Sequence, residues 1–275
     1  KLQRRWSTFA VYALMTAMAA TFLLPFAWVV RSSLMEPAQI FVMPPEWLPN
    51  PVLLDNYREA MTILPFSTYF GNTIVLTVSV IFGTVLTSTM AAFGFTRVSW
   101  QGRDLLFGVI LTSMMLPGFV TLVPTFIGWR SLGLYDTYGP LIIPAFFGGG
   151  AFNIFLLRQF YKSIPMDLDE AAYMDGAGFA RIYWSIVLPL SRSPIIVVAL
   201  FTFMGCWNDF FGPLIYLERD SLFTVSLGLQ QFLGMYSAQW NLLMAASTVV
   251  IAPAIVVFLI GQKYFVKGIA MTGLK

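Results

Sequence analysis

Charged residues along this chain fall in bunches, and between the bunches run apolar stretches long enough to cross a membrane. From Trp6 to Val30, twenty-five consecutive residues carry no charge, following Lys1, Arg4 and Arg5; roughly 20 apolar residues suffice for a helix to span a bilayer. The run exceeds the roughly 7–15 residues of a signal-peptide core, and no A-x-A-like cleavage site follows promptly, so a retained first helix is expected. Residues 31–69 then carry Glu36, Glu46, Asp55 and Glu59 among prolines and Trp47, and read as an extended surface segment rather than a span. Phe70 to Phe95 is again free of charge and rich in Val, Thr and small residues, which let helices approach closely in lipid.

Two further apolar runs are interrupted. Leu105 to Trp129 contains Pro117, Gly118 and Pro124, and Tyr138 to Leu157 contains Pro140, Pro144 and Gly148 to Gly150. Helix breakers at membrane depth leave backbone groups that neighbouring helices or a cavity must satisfy, so the first of these, Leu105 to Trp129, is expected to face protein. A fifth span is expected at Ile195 to Leu217. A sixth, at Asn241 to Ile260, lies within a charge-free stretch from 221 to 262.

Composition agrees with this pattern. With 58% hydrophobic residues, 11% charged and a mean hydropathy of +0.76, the chain is too apolar for a soluble domain. An all-α polytopic membrane protein with six transmembrane helices is predicted. Its even number of spans puts both termini on one side, and twelve of the sixteen basic residues fall on that side, leaving Arg31, Arg58, Arg130 and Arg219 opposite. Basic residues accumulate in cytoplasmic loops, so both termini are expected in the cytoplasm of a plasma membrane.

The absence of histidine removes imidazole relays and zinc triads. The single cysteine, Cys206, excludes an intrachain disulfide. No clustered basic groove suggests nucleic acid, and no convergent pair of titratable groups in the spans suggests catalysis. No G-x-x-x-x-G-K-[ST] motif occurs either, so the chain lacks a phosphate-cradling loop of its own.

The polar stretch 158–194, between the fourth and fifth apolar runs, is built like two short helices. Asp167 and Glu170 have capping-box spacing. Gly176, Ala177 and Gly178 supply a break, since glycine accepts the positive φ that ends a helix. Phe179, Ile182, Tyr183, Ile186 and Val187 then share one helical face until Pro189 interrupts the hydrogen-bond ladder. Physically this could be an interfacial linker or a knob suited to a partner's groove, with Ala171 and Ala172 permitting close approach and Glu170 and Asp175 supplying polar contact.

The sequence EAAYMDGAGFARIYWSIVLPL, starting at Glu170, resembles the EAA loop of binding-protein-dependent ABC importer permeases. Glu170, Ala171, Ala172, Asp175, Gly176, Ala177, Ile186, Leu188 and Pro189 fall at matching places. Proline comes one residue later than is usual in the family, at Pro194, with Ser193 before it. MPPEWLPNPVLLDNYREA, LGLYDTYGPLIIP, FTFMGCWNDFFGPLIYL and the tail KYFVKGIAMTGLK are similar to the carbohydrate-uptake group of maltose-type permeases.

The resemblance implies a type I ABC importer permease fold in three regions. Residues 1–69 would hold the first helix and an extracytoplasmic segment, 70–262 the transmembrane core with its loop at 158–192, and 263–275 a cytoplasmic tail. It also implies a second homologous permease, two ATPase subunits that bind ATP and Mg, and an extracytoplasmic solute-binding protein, with no cofactor, metal or catalytic residue in this chain. Coupling to the ATPase would fall to Asp167, Glu170, Ala171, Ala172, Asp175, Gly176 and Gly178. A sugar or oligosaccharide is the implied cargo. Polyamine and phosphodiester importers share the loop, and an ion-gradient-driven transporter is the alternative from another class.

Asp209 is an ionisable residue well inside an expected span, beside Trp207 and Asn208. Two readings stay open. Asp209 either caps a helix break before Gly212 and Pro213, or faces the transport pathway with Trp207 and Asn208 at an unwound turn.

Overall fold

The charge-free runs fold as helices, and the prolines and glycines within them set where those helices break. The computed structural model describes residues 2–234 and 239–272, with side chains described over 8–234 and 239–264. In chain order the helices are α1 (Leu2–Ser33), α2 (Pro37–Ile40), α3 (Asp55–Ile63), α4 (Phe66–Arg97), α5 (Arg103–Ser113), α6 (Gly118–Ser131) and α7 (Gly139–Ile142). A 3₁₀ turn (Ile143–Phe146) follows, then α8 (Ala151–Ser163), α9 (Asp167–Met174) and α10 (Phe179–Ile182). A π-helical turn (Tyr183–Val187) leads into α11 (Leu188–Leu190), α12 (Arg192–Trp207), α13 (Phe211–Tyr216), α14 (Val225–Gln230) and α15 (Trp240–Thr272). Strands are absent from the described residues.

Thr8–Ser33, Phe66–Arg97, Gly139–Ser163 and Trp240–Tyr264 are each long and apolar enough to cross a bilayer. The count reaches six if two bent pairs each form one span: Arg103–Ser113 with Gly118–Ser131, at 99°, and Phe179–Leu190 with Arg192–Trp207, at 77°. The expected third span is therefore not straight, because Pro117 holds extended backbone between its halves. Its second half meets protein in part: α6 has no fully buried residue, but its Phe119 lies edge-on to Phe211 at 5.8 Å and its Phe126 stacks on Tyr216 at 6.1 Å. The expected fifth span stops as a helix at Trp207 and resumes at Phe211. The side chains of Lys1, Arg4, Arg5, Lys267 and Lys275, part of the predicted basic bias, lie outside the described residues.

Packing divides the chain into two units. The first joins residues 1–67 with 228–253. Its segment after α1 is not extended throughout, as had been expected: α3 forms there, and buried Asn56 organises it. Asn56 Nδ2 donates to the carbonyls of Ser33 and Met35 at 3.0 Å each, and its Oδ1 accepts from Asn241 Nδ2 at 3.0 Å. An unsatisfied buried amide would cost about 1–3 kcal/mol, so this full set of partners fixes the chain's path. Phe66 and Phe232 stack nearby, with ring centroids 5.8 Å apart. At the end of α1, the Arg31 guanidinium lies over Trp28 at 4.2 Å and donates from Nε to the Glu46 carbonyl at 2.6 Å.

The second unit joins 68–227 with 254–275. Here the broken fourth span meets protein. Gly148, Gly149 and Gly150 all have positive φ, and a Cβ on Gly149 would stand 2.7 Å from Thr84 Cα in α4. Thr87 donates to the Ala145 carbonyl at 2.9 Å, so α4 supplies a hydrogen bond at the break. Residues 217–225 are tied down by other parts of the unit. Asn72 Nδ2 donates to the carbonyls of Ser221 and Phe223, and Asp136 accepts from the backbone N–H groups of Glu218 and Arg219 at 2.9 and 3.1 Å. The Glu218 N–H, with further help from Arg219, holds the Asp136 carboxyl below the usual range despite an opposing burial effect.

Candidate functional site

The loop after α8 begins with a proline that sets its helix start. Ile164, before Pro165, is extended, as a residue preceding proline tends to be. Helix α9 then starts at once, its first bonds running from the Asp169 and Glu170 N–H groups to the Met166 carbonyl at 2.8 and 3.0 Å. The capping box expected from Asp167 and Glu170 does not form. Met166 takes the cap position without a side-chain bond, which leaves Asp167, Asp169 and Glu170 together in the first turn. Negative charge there is favoured by the helix dipole.

The far end of α9 closes as the sequence predicted. Gly176 has φ +78°, the Ala177 N–H donates to the Ala172 carbonyl at 2.9 Å, and the Gly176 N–H donates to Tyr173 at 3.0 Å. These are the two bonds of a Schellman ending, with Ala177 buried behind it.

Beyond the turn, Ile182, Tyr183 and Val187 are buried in a core with Ala92 and Phe93 of α4 and Leu157 and Tyr161 of α8. Tyr183 shares a 2.9 Å hydrogen bond with Thr89. Phe179 departs from the predicted face, being exposed and edge-on to Tyr173 at 5.7 Å. Pro189 does not end the helical path either. The wider π turn at Tyr183–Val187 precedes it, and the chain continues helically to Leu190.

This packing sorts the predicted coupling residues. Asp167, Glu170, Ala171, Asp175, Gly176 and Gly178 are exposed, whereas Ala172 packs against the protein's own core instead of offering a close-approach surface. Leu168 and Met174 are exposed beside the acids, Met174 at 89%. The knob thus presents carboxylates and apolar side chains together.

Two groups here were not singled out in the sequence. Asp169 is buried, and its Oδ2 lies 3.2 Å from Nε of Arg97, the last residue of α4, with both side chains almost completely enclosed. Burial pushes the Asp169 carboxyl up and Arg97 pulls it back down. Arg97 Nη2 also donates to the carbonyls of Tyr161 and Ile164 at 3.2 and 2.8 Å, and Nη1 contacts the Met166 sulfur. The available signal was the i, i+3 spacing of Asp169 and Ala172, which places the two on one inward face. Arg158 makes a second tie at this end, donating to Phe95 O and Asp104 Oδ1 and lying over Phe107 at 3.9 Å.

Residues 207–209 are divided by the structure. Trp207 is buried and stacked on Phe203 at 5.4 Å. Asn208 is exposed and donates to the Met204 carbonyl at 2.8 Å. Half-buried Asp209 accepts from the Gly212 N–H at 3.0 Å, at the entry to α13.

Residues 83–271 match the model of a family described as "Binding-protein-dependent transport system inner membrane component". The chain belongs to this family of transport-system permeases. The permease is 34% identical over 255 residues to the "Probable ABC transporter permease protein YurM" of Bacillus subtilis, covering 91% of this chain and 83% of that one. It is 30% identical to the "Diacetylchitobiose uptake system permease protein NgcG" of Streptomyces coelicolor, over 92% and 84% of the two chains. Its fold matches a chain in the crystal structure of a bacterial ABC transporter that imports alginate, with a TM-score of 0.84 at 24% identity, over 95% and 97% of the two chains.

The Asp209 geometry in the permease gives a direct prediction. Asp209→Asn keeps a side-chain oxygen for Gly212 and is expected to assemble, whereas Asp209→Ala loses this hydrogen bond and about 0.5–1.5 kcal/mol with it. Thermal unfolding in detergent measures the difference. An Asn variant as unstable as Ala would show that charge, not capping, is what α13 needs.

Proposed function

We propose that this permease translocates a sugar or oligosaccharide delivered by an extracytoplasmic solute-binding protein. In this reading it works beside a second homologous permease and is driven by two ATPase subunits, one of which docks on the exposed face of α9. The carrying observation is that face itself, with Asp167, Glu170 and Asp175 exposed beside Leu168 and Met174. Relatives named for diacetylchitobiose and arabinooligosaccharide transport support the cargo class. A structural neighbour solved with an alginate-pentasaccharide-bound periplasmic protein supports the delivery partner. ATP and Mg would be held by the ATPase subunits, since this sequence has no P-loop. The basic bias supports a plasma-membrane orientation that puts both termini and α9 in the cytoplasm, where ATP is.

Reconstitution with the ATPase subunits tests the reading: uptake should require ATP. Uptake that continues without ATP on an ion gradient would overturn it. The ligand that copurifies with the binding protein identifies the solute, and a polyamine there would overturn the sugar assignment. Glu170→Lys reverses charge on the docking face and is expected to reduce ATPase copurification by at least about fivefold, or roughly 1 kcal/mol of lost interface energy.

Gly176→Val tests the turn behind that face. Nothing lies within 4 Å of a Cβ placed there, so the strain falls on the backbone, where a left-handed conformation costs an L residue about 1–2 kcal/mol and a β-branched one more. The expected result is an assembled complex whose ATP hydrolysis no longer responds to loaded binding protein. A normal response would remove the turn from the coupling path.

A further inference from the structure

We infer that Arg97 and Asp169 form a positioning strut that makes α9 and the end of α4 move as one body, so that force applied to α9 reaches this membrane helix. The inference rests on the proposed docking of an ATPase at α9, and it assigns roles to two residues outside that docking face.

The geometry is specific to a mechanical link. Arg97 ends a 32-residue helix of span length, and Asp169 lies in the first turn of α9, one residue before exposed Glu170. Their side chains are only 2% and 3% exposed, with Nε and Oδ2 3.2 Å apart. The same guanidinium binds the Tyr161 and Ile164 carbonyls at the end of α8. One planar group therefore joins the end of α4, the end of α8 and the start of α9. A planar, always-charged fork suits this better than a flexible ammonium, because its donors diverge at fixed angles.

Apolar contacts alone would hold the loop less strictly. The core beneath it comes from Ala177, Ile182, Tyr183 and Val187, which all follow the Gly176 turn, while α9 itself contributes only Ala172 to that core. The ion pair is thus the main polar tie between α9 and α4, a buried charge contact rather than a hydrogen bond. Asp169 Oδ1 is buried without a hydrogen bond, so Arg97 is the partner that compensates this carboxylate.

The test uses the whole complex, reconstituted with its ATPase subunits in a Cys206→Ala background. Spin labels go on Ser99→Cys, just past α4, and Met174→Cys, at the exposed end of α9. Distances are read without nucleotide and after trapping with ATP and orthovanadate. In the otherwise wild-type protein the distribution should be narrow and should not shift on trapping. In R97M/D169L, which buries no charge and so avoids a lone ion, it should broaden and shift by more than its wild-type width. A distribution in R97M/D169L as narrow and unshifted as wild type overturns the inference, even if the yield of complex falls, because a purely structural pair would change yield alone. A wild-type distribution that shifts on trapping also overturns it. The docking reading fails separately, if the mobility of the Met174→Cys label is unchanged when the ATPase subunits are added; the nucleotide-free widths then still decide the strut.

Discussion

Arg97→Ala is expected to destabilise the permease by about 3–5 kcal/mol, the range for removing one partner of a buried ion pair. The variant leaves Asp169 enclosed without its cation and strips the Tyr161 and Ile164 carbonyls of their donor. The loss should depend on pH in a definite direction. Burial raises the Asp169 carboxyl and Arg97 lowers it, so deleting Arg97 raises it further. A carboxyl whose folded value lies above its unfolded value favours the folded state when protonated. The carboxylate's share of the penalty is therefore absent below the unfolded value, near 3.9, grows as pH rises toward the folded value, and is complete above it. Unfolding midpoints in detergent, compared from about pH 4 to about pH 8, should show the gap to wild type widening with pH. A gap that is constant across the range would mean that Asp169 stays ionised by other means. The companion Asp169→Asn should cost less, because Arg97 retains its two carbonyl partners.

Gly149→Ala is expected to be comparably severe, for a steric reason. Its φ of +61° is unfavourable for alanine by about 1–2 kcal/mol. A Cβ would also stand 2.7 Å from Thr84 Cα and 2.8 Å from Thr84 O, backbone atoms that cannot swing aside. Forcing an extra carbon into a packed contact adds about 1–3 kcal/mol. Thr84 lies in α4, so relief would have to come from separating α4 from the 148–150 break, which would also stretch the Thr87 to Ala145 hydrogen bond. Gly133→Ala is the control, with a φ of +71° and no atom within 4 Å of the added Cβ. It should lose the conformational part alone. Equal midpoints for the two variants would rule out the Thr84 contact as the cause.

The charge-free runs were legible because hydropathy over about 20 residues is a strong local signal. Their breaks were legible because Pro117 and the Gly148 to Gly150 run are strong punctuation. How sharply each break bends was not, since 99° at Met114 to Pro117 depends on what the two halves meet. In the loop, Gly176 could be read from sequence because a left-handed helix end selects glycine, whereas the capping box could not, because Pro165 moved the helix start by one residue. Asp169 looked like one more acid in an acidic turn. Its difference from Asp167 and Glu170 comes from Arg97, seventy-two residues earlier, which no local pattern reveals. Asp209 is a similar case: its proximity to Gly212 was visible, but its acceptance of that N–H required coordinates.

Helix α1 raises a different kind of consequence. None of the residues in its span-length apolar window is buried by the rest of the chain, while Arg31, Ser32 and Ser33 at its end are all enclosed. Most of this helix thus carries almost no shape information for its own subunit. Substitutions along Phe9 to Phe26 that keep length and hydropathy should be nearly interchangeable, as the letters of a spacer are, whereas the three residues that close it are read individually. Sequence drift among relatives should therefore be fast along the rod and abruptly slow at its last turn.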